Sequence, residues 1–221
     1  MNPKADVMDL VVLISGRGSN MRSIVEQAED PTSNYRVRAV ISNRPEAAGL
    51  ETARARGIDT ECLDHRRYPN RDHFDAALSE RIGDYDPGLI VLAGFMRILT
   101  PAFVECHSGR LLNIHPSLLP KYRGLETHAR ALEGGEHEHG ASVHFVTAEL
   151  DGGPVVLQAR VPIMPDDDEQ TLAARVLEQE HRIYPLAITW FATGRLRMRN
   201  GVAFLDGRKL EAPKALSEVR G

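Results

Sequence analysis

LLNIHPSLLP, residues 111–120, ends an apolar run on two polar side chains, Asn113 and His115, that stand two apart. On a strand, residues i and i+2 face the same way roughly 7 Å apart, so amide and imidazole project together while Ile114 turns into the core. Pro116 can neither donate to a ladder nor sit in a central strand, so the strand stops there and presents the pair at its carboxyl end. In open α/β sheets that edge is where ligands bind.

Outward from this stretch, strand-like and helix-like segments alternate. Residues 8–14, 36–42, 57–63 and 89–93 read as strands, the third weakly; residues 19–28, 45–56, 70–84 and 100–106 read as helices, with Phe74, Leu78 and Ile82 at helical spacing. This predicts an α/β fold built on an open, mostly parallel, doubly wound (Rossmann-like) sheet with helices on both faces. Further on, 141–147 and 154–161 read as strands joined through a DGG turn, and 169–192 as a long helix. Residues 195–199 and 202–205 flank Asn200-Gly201, the commonest two-residue hairpin turn. An antiparallel C-terminal addition is therefore expected. With no repeats, low-complexity tracts or linkers, one domain over 1–221 is predicted.

Composition narrows the function. A chain of 221 residues with 42% apolar and 26% charged residues affords a sizeable core. A net charge of -4 offers no basic excess for phosphate-backbone contacts, so a small ligand is expected rather than nucleic acid. Two cysteines, Cys62 and Cys106, lack metal-type spacing and suit a reduced, cytoplasmic protein. The apolar run at 10–14 is far too short for a signal peptide or membrane span.

Three stretches carry candidate chemistry. In SGRGSN, residues 15–20, glycines open the backbone at the start of a helix, and Gly18, Ser19 and Asn20 read either as a phosphate cradle or as a tight turn with Ser19 capping the helix. The spacing is neither that of a dinucleotide loop nor that of a Walker loop, which needs a lysine. In VLAGFMRIL, residues 91–99, the backbone beside Met96, Ile98 and Leu99 suits the edge of a flat heterocycle, although periodicity alone favours core packing. In ELDGGP, residues 149–154, Asp151 occupies a turn where aspartate is common for its own backbone bonding, yet an acid there beside an imidazole suits proton transfer. Other features read blandly. Asp166 to Glu169 suits a helix N-terminus, His137 and His139 a solvated loop without a third metal ligand, and Arg195, Arg197 and Arg199 an exposed sheet edge.

SGRGSN, VLAGFMRIL, LLNIHPSLLPKYRG at 111–124, HGASVHFVTAELDGGPV at 139–155 and QEHRIYP at 179–185 together resemble the folate-dependent formyltransferase family over nearly the whole chain. The asparagine, histidine and SLLP block with the later aspartate is shared by the wider family, while the SGxGSN loop resembles its glycinamide ribonucleotide branch. The resemblance implies formyl transfer from 10-formyltetrahydrofolate, as co-substrate and without a metal, to the amine of glycinamide ribonucleotide in de novo purine synthesis. It implies Asn113, His115 and Asp151 as catalytic residues, and Gly18, Ser19, Asn20 and Glu180 as contacts of the ribonucleotide. It places Arg71, Met96, Arg97, Ile98, Leu99, Asn113, Thr147, Ala148, Glu149, Leu150 and Asp151 in the folate site. A phosphate-binding half to about residue 100 and a catalytic and folate-binding half from about 101 follow, in a monomer or homodimer with no membrane or nucleic-acid partner. Leu177 departs from the pattern, since relatives often carry there a polar or basic residue that helps hold the phosphate. Arg123 and Glu126 are left without a role. A methionyl-tRNA formyltransferase would be expected to carry a further C-terminal domain and a formyltetrahydrofolate hydrolase an N-terminal one. The non-enzyme alternative is a binding module whose imidazole is structural.

Overall fold

The computed structural model describes residues 7–219; the first six and last two residues of the expected 1–221 domain lie outside the described residues. The chain opens β1 (Met8–Ile14), α1 (Ser19–Ala28), β2 (Tyr35–Ser42), α2 (Ala48–Arg54), β3 (Asp59–Cys62), α3 (Arg71–Gly83), β4 (Leu89–Leu92), α4 (Pro101–Cys106) and β5 (Leu111–His115). These strands form a parallel block in the order β3-β2-β1-β4-β5. The chain steps outward from β1 to β3 and then returns to β1's other side as β4. Strand order thus reverses between β1 and β4, and the loops leaving their carboxyl ends flank the crevice that such a reversal opens.

The second part contributes α5 (Thr127–Glu133), β6 (Glu138–Phe145), β7 (Val155–Pro162), α6 (Glu169–Ala192), β8 (Leu196–Arg199), β9 (Val202–Leu205), β10 (Arg208–Lys209) and β11 (Lys214–Ala215). β6 adds antiparallel to β5 and β7 antiparallel to β6, and β11 pairs in parallel with the outer edge of β7, giving an eight-stranded sheet. β8, β9 and β10 form a separate three-stranded antiparallel sheet. Asn200 and Gly201 join β8 to β9 with φ of +50° and +72°, the left-handed pair that a type I′ turn requires. Three expectations need correction. The strand expected over 141–147 ends at Phe145, so Thr147 belongs to a loop. His139 lies in β6 and is 1% exposed, not in a solvated loop, because β6 begins at Glu138. α5 and β11 were not anticipated, being one short helix and a two-residue edge.

Alternation along β1 builds two cores. Leu10, Val12 and Ile14 pack with Met21 and Ile24 of α1 and Val176, Ile183 and Ile188 of α6, while Val11 and Leu13 pack with Phe74 and Leu78 of α3 and Phe103 of α4. α6 starts on a capping box, Asp168 and Thr171 exchanging bonds with each other's backbone N–H. Midway along it the buried Tyr184 hydroxyl lies 2.9 Å from the carbonyls of both Leu92 and Leu112, at or next to the ends of β4 and β5. Glu180, one turn earlier on the same helix face, is thereby held over the crevice.

Candidate active site

Asn113 and His115 leave β5 on the face shared with Leu111, opposite to Leu112 and Ile114, which enter the α6-side core. Over β1 and β4 that face is roofed by α3 and α4. Beyond them, two loops, 116–126 and 146–154, take over. His115 is 5% exposed. Its Nε2 lies 2.9 Å from the carbonyl of Tyr122, to which it donates, and its Nδ1 lies 3.5 Å from Oδ2 of Asp151. The second distance is too long for a good hydrogen bond, but it sets the carboxylate beside the ring. Asp151 adopts φ +47°, a left-handed conformation that aspartate tolerates better than most residues. Its Oδ2 also accepts the N–H of Gly124 at 2.9 Å.

A residue without an assigned task joins this group. His144 stands directly opposite Asn113 in the β5–β6 register. Its Nδ1 donates to the carbonyl of Phe145 at 2.9 Å, which leaves Nε2 to accept from Nδ2 of Asn113 at 3.1 Å. Burial pushes the His144 imidazole well below its ordinary range despite the nearby Asp151 carboxylate, so the ring is neutral and orients the amide of Asn113. The same Nε2 lies 3.7 Å from Oδ1 of Asp151, placing that carboxylate between two imidazoles. In sequence, Ser142 and His144 repeat the i, i+2 spacing of Asn113 and His115. That signal acquires meaning only once β6 is known to lie beside β5.

The two covering loops clasp each other. Arg123 pairs with Glu149, Gly124 with Asp151, and the Arg130 guanidinium donates to the carbonyls of Arg123 and Leu125. Arg123, left unassigned from sequence, thus holds the 116–126 loop to the 146–154 loop, and Glu126 is the left-handed residue at the start of α5. Gly153 is required by close approach: a Cβ there would lie 1.8 Å from the carbonyl oxygen of Phe145.

Beneath the clasp runs a groove of about 540 Å³, its open mouth included. Of the predicted folate residues, Arg97, Ile98, Leu99, Asn113 and residues 147–151 line it, together with Phe95, Val104 and His144. Met96 and Arg71 do not. Met96 turns its side chain to solvent, and Arg71 is exposed at the start of α3. The Arg97 guanidinium stacks 4.6 Å above Phe74 in α3, where burial lowers its pKa from the ordinary value.

The predicted phosphate turn lies across the switch point. Gly18 has φ +73° and is the N-cap of α1, without any side-chain capping bond; Ser19 is the first helical residue. The capping alternative for Ser19 therefore falls, and the first N–H groups of α1 stay open to an anion. Asn20, one residue on, donates from Nδ2 to Oε2 of Glu180 at 2.6 Å, while its own Oδ1 is buried without a partner. Glu180 is 6% exposed, and burial raises its carboxyl from 4.5 to about 7. Leu177 is half-buried one turn earlier on α6. No group of three His, Cys, Asp or Glu side chains able to hold a metal occurs among the described residues, and no helix among them is long and apolar enough to cross a membrane.

The sequence matches the formyl transferase family over residues 8–188. The chain belongs to the formyl transferase family. The phosphoribosylglycinamide formyltransferase of Escherichia coli (strain K12) is 56% identical over 203 residues, spanning 92% of this chain and 96% of that protein. The solved phosphoribosylglycinamide formyltransferase of Coxiella burnetii superposes with a TM-score of 0.90 at 51% identity, covering 94% of this chain and 98% of that one. Glycinamide ribonucleotide transformylase 1 from Symbiobacterium toebii gives 0.89 at 43% identity, covering 93% and 97%.

Proposed function

We propose that this chain transfers the formyl group of 10-formyltetrahydrofolate to the amine of glycinamide ribonucleotide, yielding formylglycinamide ribonucleotide and tetrahydrofolate in de novo purine synthesis. The observation that carries this reading is that Asn113 and Asp151, the latter 3.5 Å from His115, line the same groove as residues 97–99 and 147–150. The pteridine lies in that groove against residues 97–99 and 147–151, and Arg97 at the groove and Arg71 outside it at the start of α3 suit the carboxylates of the glutamate tail. The ribonucleotide phosphate sits on the open N–H groups of 18–20, with Glu180 accepting from its hydroxyls.

The amine attacks the formyl carbon, the carbonyl π electrons move onto oxygen, and the resulting oxyanion is held by the free N–H of Asn113 and by His115 as imidazolium facing Asp151. Collapse restores the carbonyl and breaks the bond to the folate nitrogen. One proton must leave the attacking amine and one must reach the departing nitrogen, a transfer that His115, or a water held by Asp151, completes without net change. No step calls for a metal. The phosphate-binding half runs to about residue 100 and the catalytic half from about 101, in a cytoplasmic monomer or homodimer with small-molecule partners.

Purified protein incubated with 10-formyltetrahydrofolate and, separately, glycinamide ribonucleotide, water alone or charged tRNA tests this assignment. Formylation of glycinamide ribonucleotide is the expected result. Turnover only with water or tRNA, or ligand binding without turnover, would overturn it.

A further inference from the structure

The two loops that flank the switch point share one buried serine. Ser15 follows β1 directly and is 5% exposed. Its peptide N–H donates to the carbonyl of Gly94 at 3.0 Å, its hydroxyl accepts the N–H of Met96 at 2.7 Å, and the same hydroxyl donates to Oδ1 of Asn43 at 2.5 Å. Asn43, 1% exposed just beyond β2, is held in turn by His65, whose Nδ1 donates to the Asn43 carbonyl at 2.9 Å. Residues 94–99 form neither helix nor strand, so their backbone takes its position from such tethers. At the far end the N–H of Thr100 donates at 2.6 Å to Asp75, a carboxylate of α3 that is 2% exposed. The turn that begins at Ser15 is held likewise, the carbonyl of Gly16 accepting from Gly49 at 3.0 Å.

Satisfying one buried amide would need only a single acceptor. Ser15 instead meets the 94–96 backbone twice and anchors the hydroxyl on a second strand end, so the phosphate turn and the folate wall cannot shift independently while it stands. We propose that Ser15 is a positioning residue shared by both substrate subsites, through which occupancy of one favours occupancy of the other and brings amine and formyl carbon into line. This rests on the function proposed above. The physical basis is reciprocal: a tether that one ligand helps to order need not be ordered again by the second, and a misplacement of about 1 Å between reacting atoms costs on the order of 100-fold in rate. Asp75, tethering the folate wall alone, serves as the internal comparison.

The test is calorimetric binding of glycinamide ribonucleotide and of tetrahydrofolate, each alone and each with the other saturating, in the wild type, Ser15→Ala, Ser15→Thr and Asp75→Asn, alongside kcat and both KM values. The wild type is expected to bind each ligand at least about fivefold tighter when the other is present, the lower end of common coupling. Ser15→Ala should bring that ratio towards one and lower kcat about tenfold or more, with each separate Kd within about threefold; Ser15→Thr, which keeps the hydroxyl, should restore both. Asp75→Asn should change the folate KM only. A wild-type ratio of one, or a ratio and kcat retained in Ser15→Ala, overturns the proposal. If Ser15→Ala does not fold, Asn43→Ala breaks the same chain one bond further out: a reduced ratio supports the proposal and an unchanged one overturns it. Wild-type protein that forms no formylglycinamide ribonucleotide refutes the assigned reaction, whereas turnover with coupling intact in the variants refutes only the role of Ser15.

Discussion

Nδ2 of Asn20 and Oε2 of Glu180, 160 residues apart in the chain, meet at 2.6 Å where α1 and α6 come together. The carboxyl titrates at about 7 because it is buried, the Asn20 bond offsetting only part of that cost. Above pH 7 the ionised form accepts from Asn20 and from ligand hydroxyls; below it the protonated form loses acceptor strength. kcat/KM for glycinamide ribonucleotide should therefore rise through about pH 7, and Glu180→Gln should abolish that limb while lowering the plateau. The folate KM should not follow the same curve. Initial rates from pH 5.5 to 8.5 check both statements.

The same group predicts a stability effect of opposite sense. A carboxyl raised from 4.5 to about 7 binds its proton more tightly in the folded state, so its stabilising contribution is present below about pH 4.5 and is lost as pH rises through 7. Glu180→Gln should raise Tm by about 5 °C at pH 8 and alter it little at pH 5. Thermal unfolding at both pH values decides this; equal shifts would show that the carboxylate is not destabilising.

Asn113→Ala should lower kcat about 100- to 1,000-fold through loss of the oxyanion donor, and His115→Ala by a comparable factor. Asp151→Asn should lower kcat less, about 10- to 100-fold, because the ring keeps its bond to Tyr122 while losing the charge 3.5 Å away. The double variant Asn113→Ala, His115→Ala should be little worse than either single one, since both act on one developing charge. Single-turnover rates measure these factors, and additive losses would argue for separate tasks.

Local chemistry in the chain announced some of these elements and not others. α6 was legible to the residue because Asp168 and Thr171 cap it and its apolar positions recur at helical spacing. Asn113 and His115 were legible because period two and a terminating proline are local facts. His144 was not, since its partnership with Asn113 depends on β6 pairing antiparallel to β5 across a long connection. His139 misled for the related reason that GEHEHG is polar in composition, yet β6 begins inside it and buries the second imidazole. β11 is two residues whose pairing lies on β7, and no periodicity can show in so short an edge. The loop clasp of Arg123 on Glu149 likewise joins residues that no spacing rule connects.

Tyr184 supplies a test of how far the strand ends must be held. Its hydroxyl bridges the carbonyls of Leu92 and Leu112 at 2.9 Å each, and Leu112 directly precedes Asn113. Tyr184→Phe removes, at unchanged shape, the single hydroxyl proton that the two buried carbonyls share, a loss of about 1–3 kcal/mol. A Tm lower by several degrees and a kcat reduced severalfold with both KM values nearly unchanged are expected. Loss of stability with kcat intact would show that β5 presents Asn113 without this clamp.

Gly153 makes the sharpest steric prediction. Any Cβ at this position would lie 1.8 Å from the Phe145 carbonyl oxygen, backbone that cannot rotate aside, because the N–H of Phe145 donates to Pro154 at 3.0 Å and holds the two strand ends together. Gly153→Ala must therefore break that bond or displace the 146–154 loop, which carries the groove lining at 147–151 and, with it, Asp151. A loss of about 2–4 kcal/mol is expected, or roughly 5–15 °C in Tm at this chain length. Because the displaced loop forms one wall of the groove and none of the phosphate turn, the KM for the folate should rise about tenfold or more, while that for the ribonucleotide changes little. Steady-state kinetics on the folded fraction at low temperature separate the two. Equal rises in both would mean that residues 146–154 also shape the ribonucleotide site.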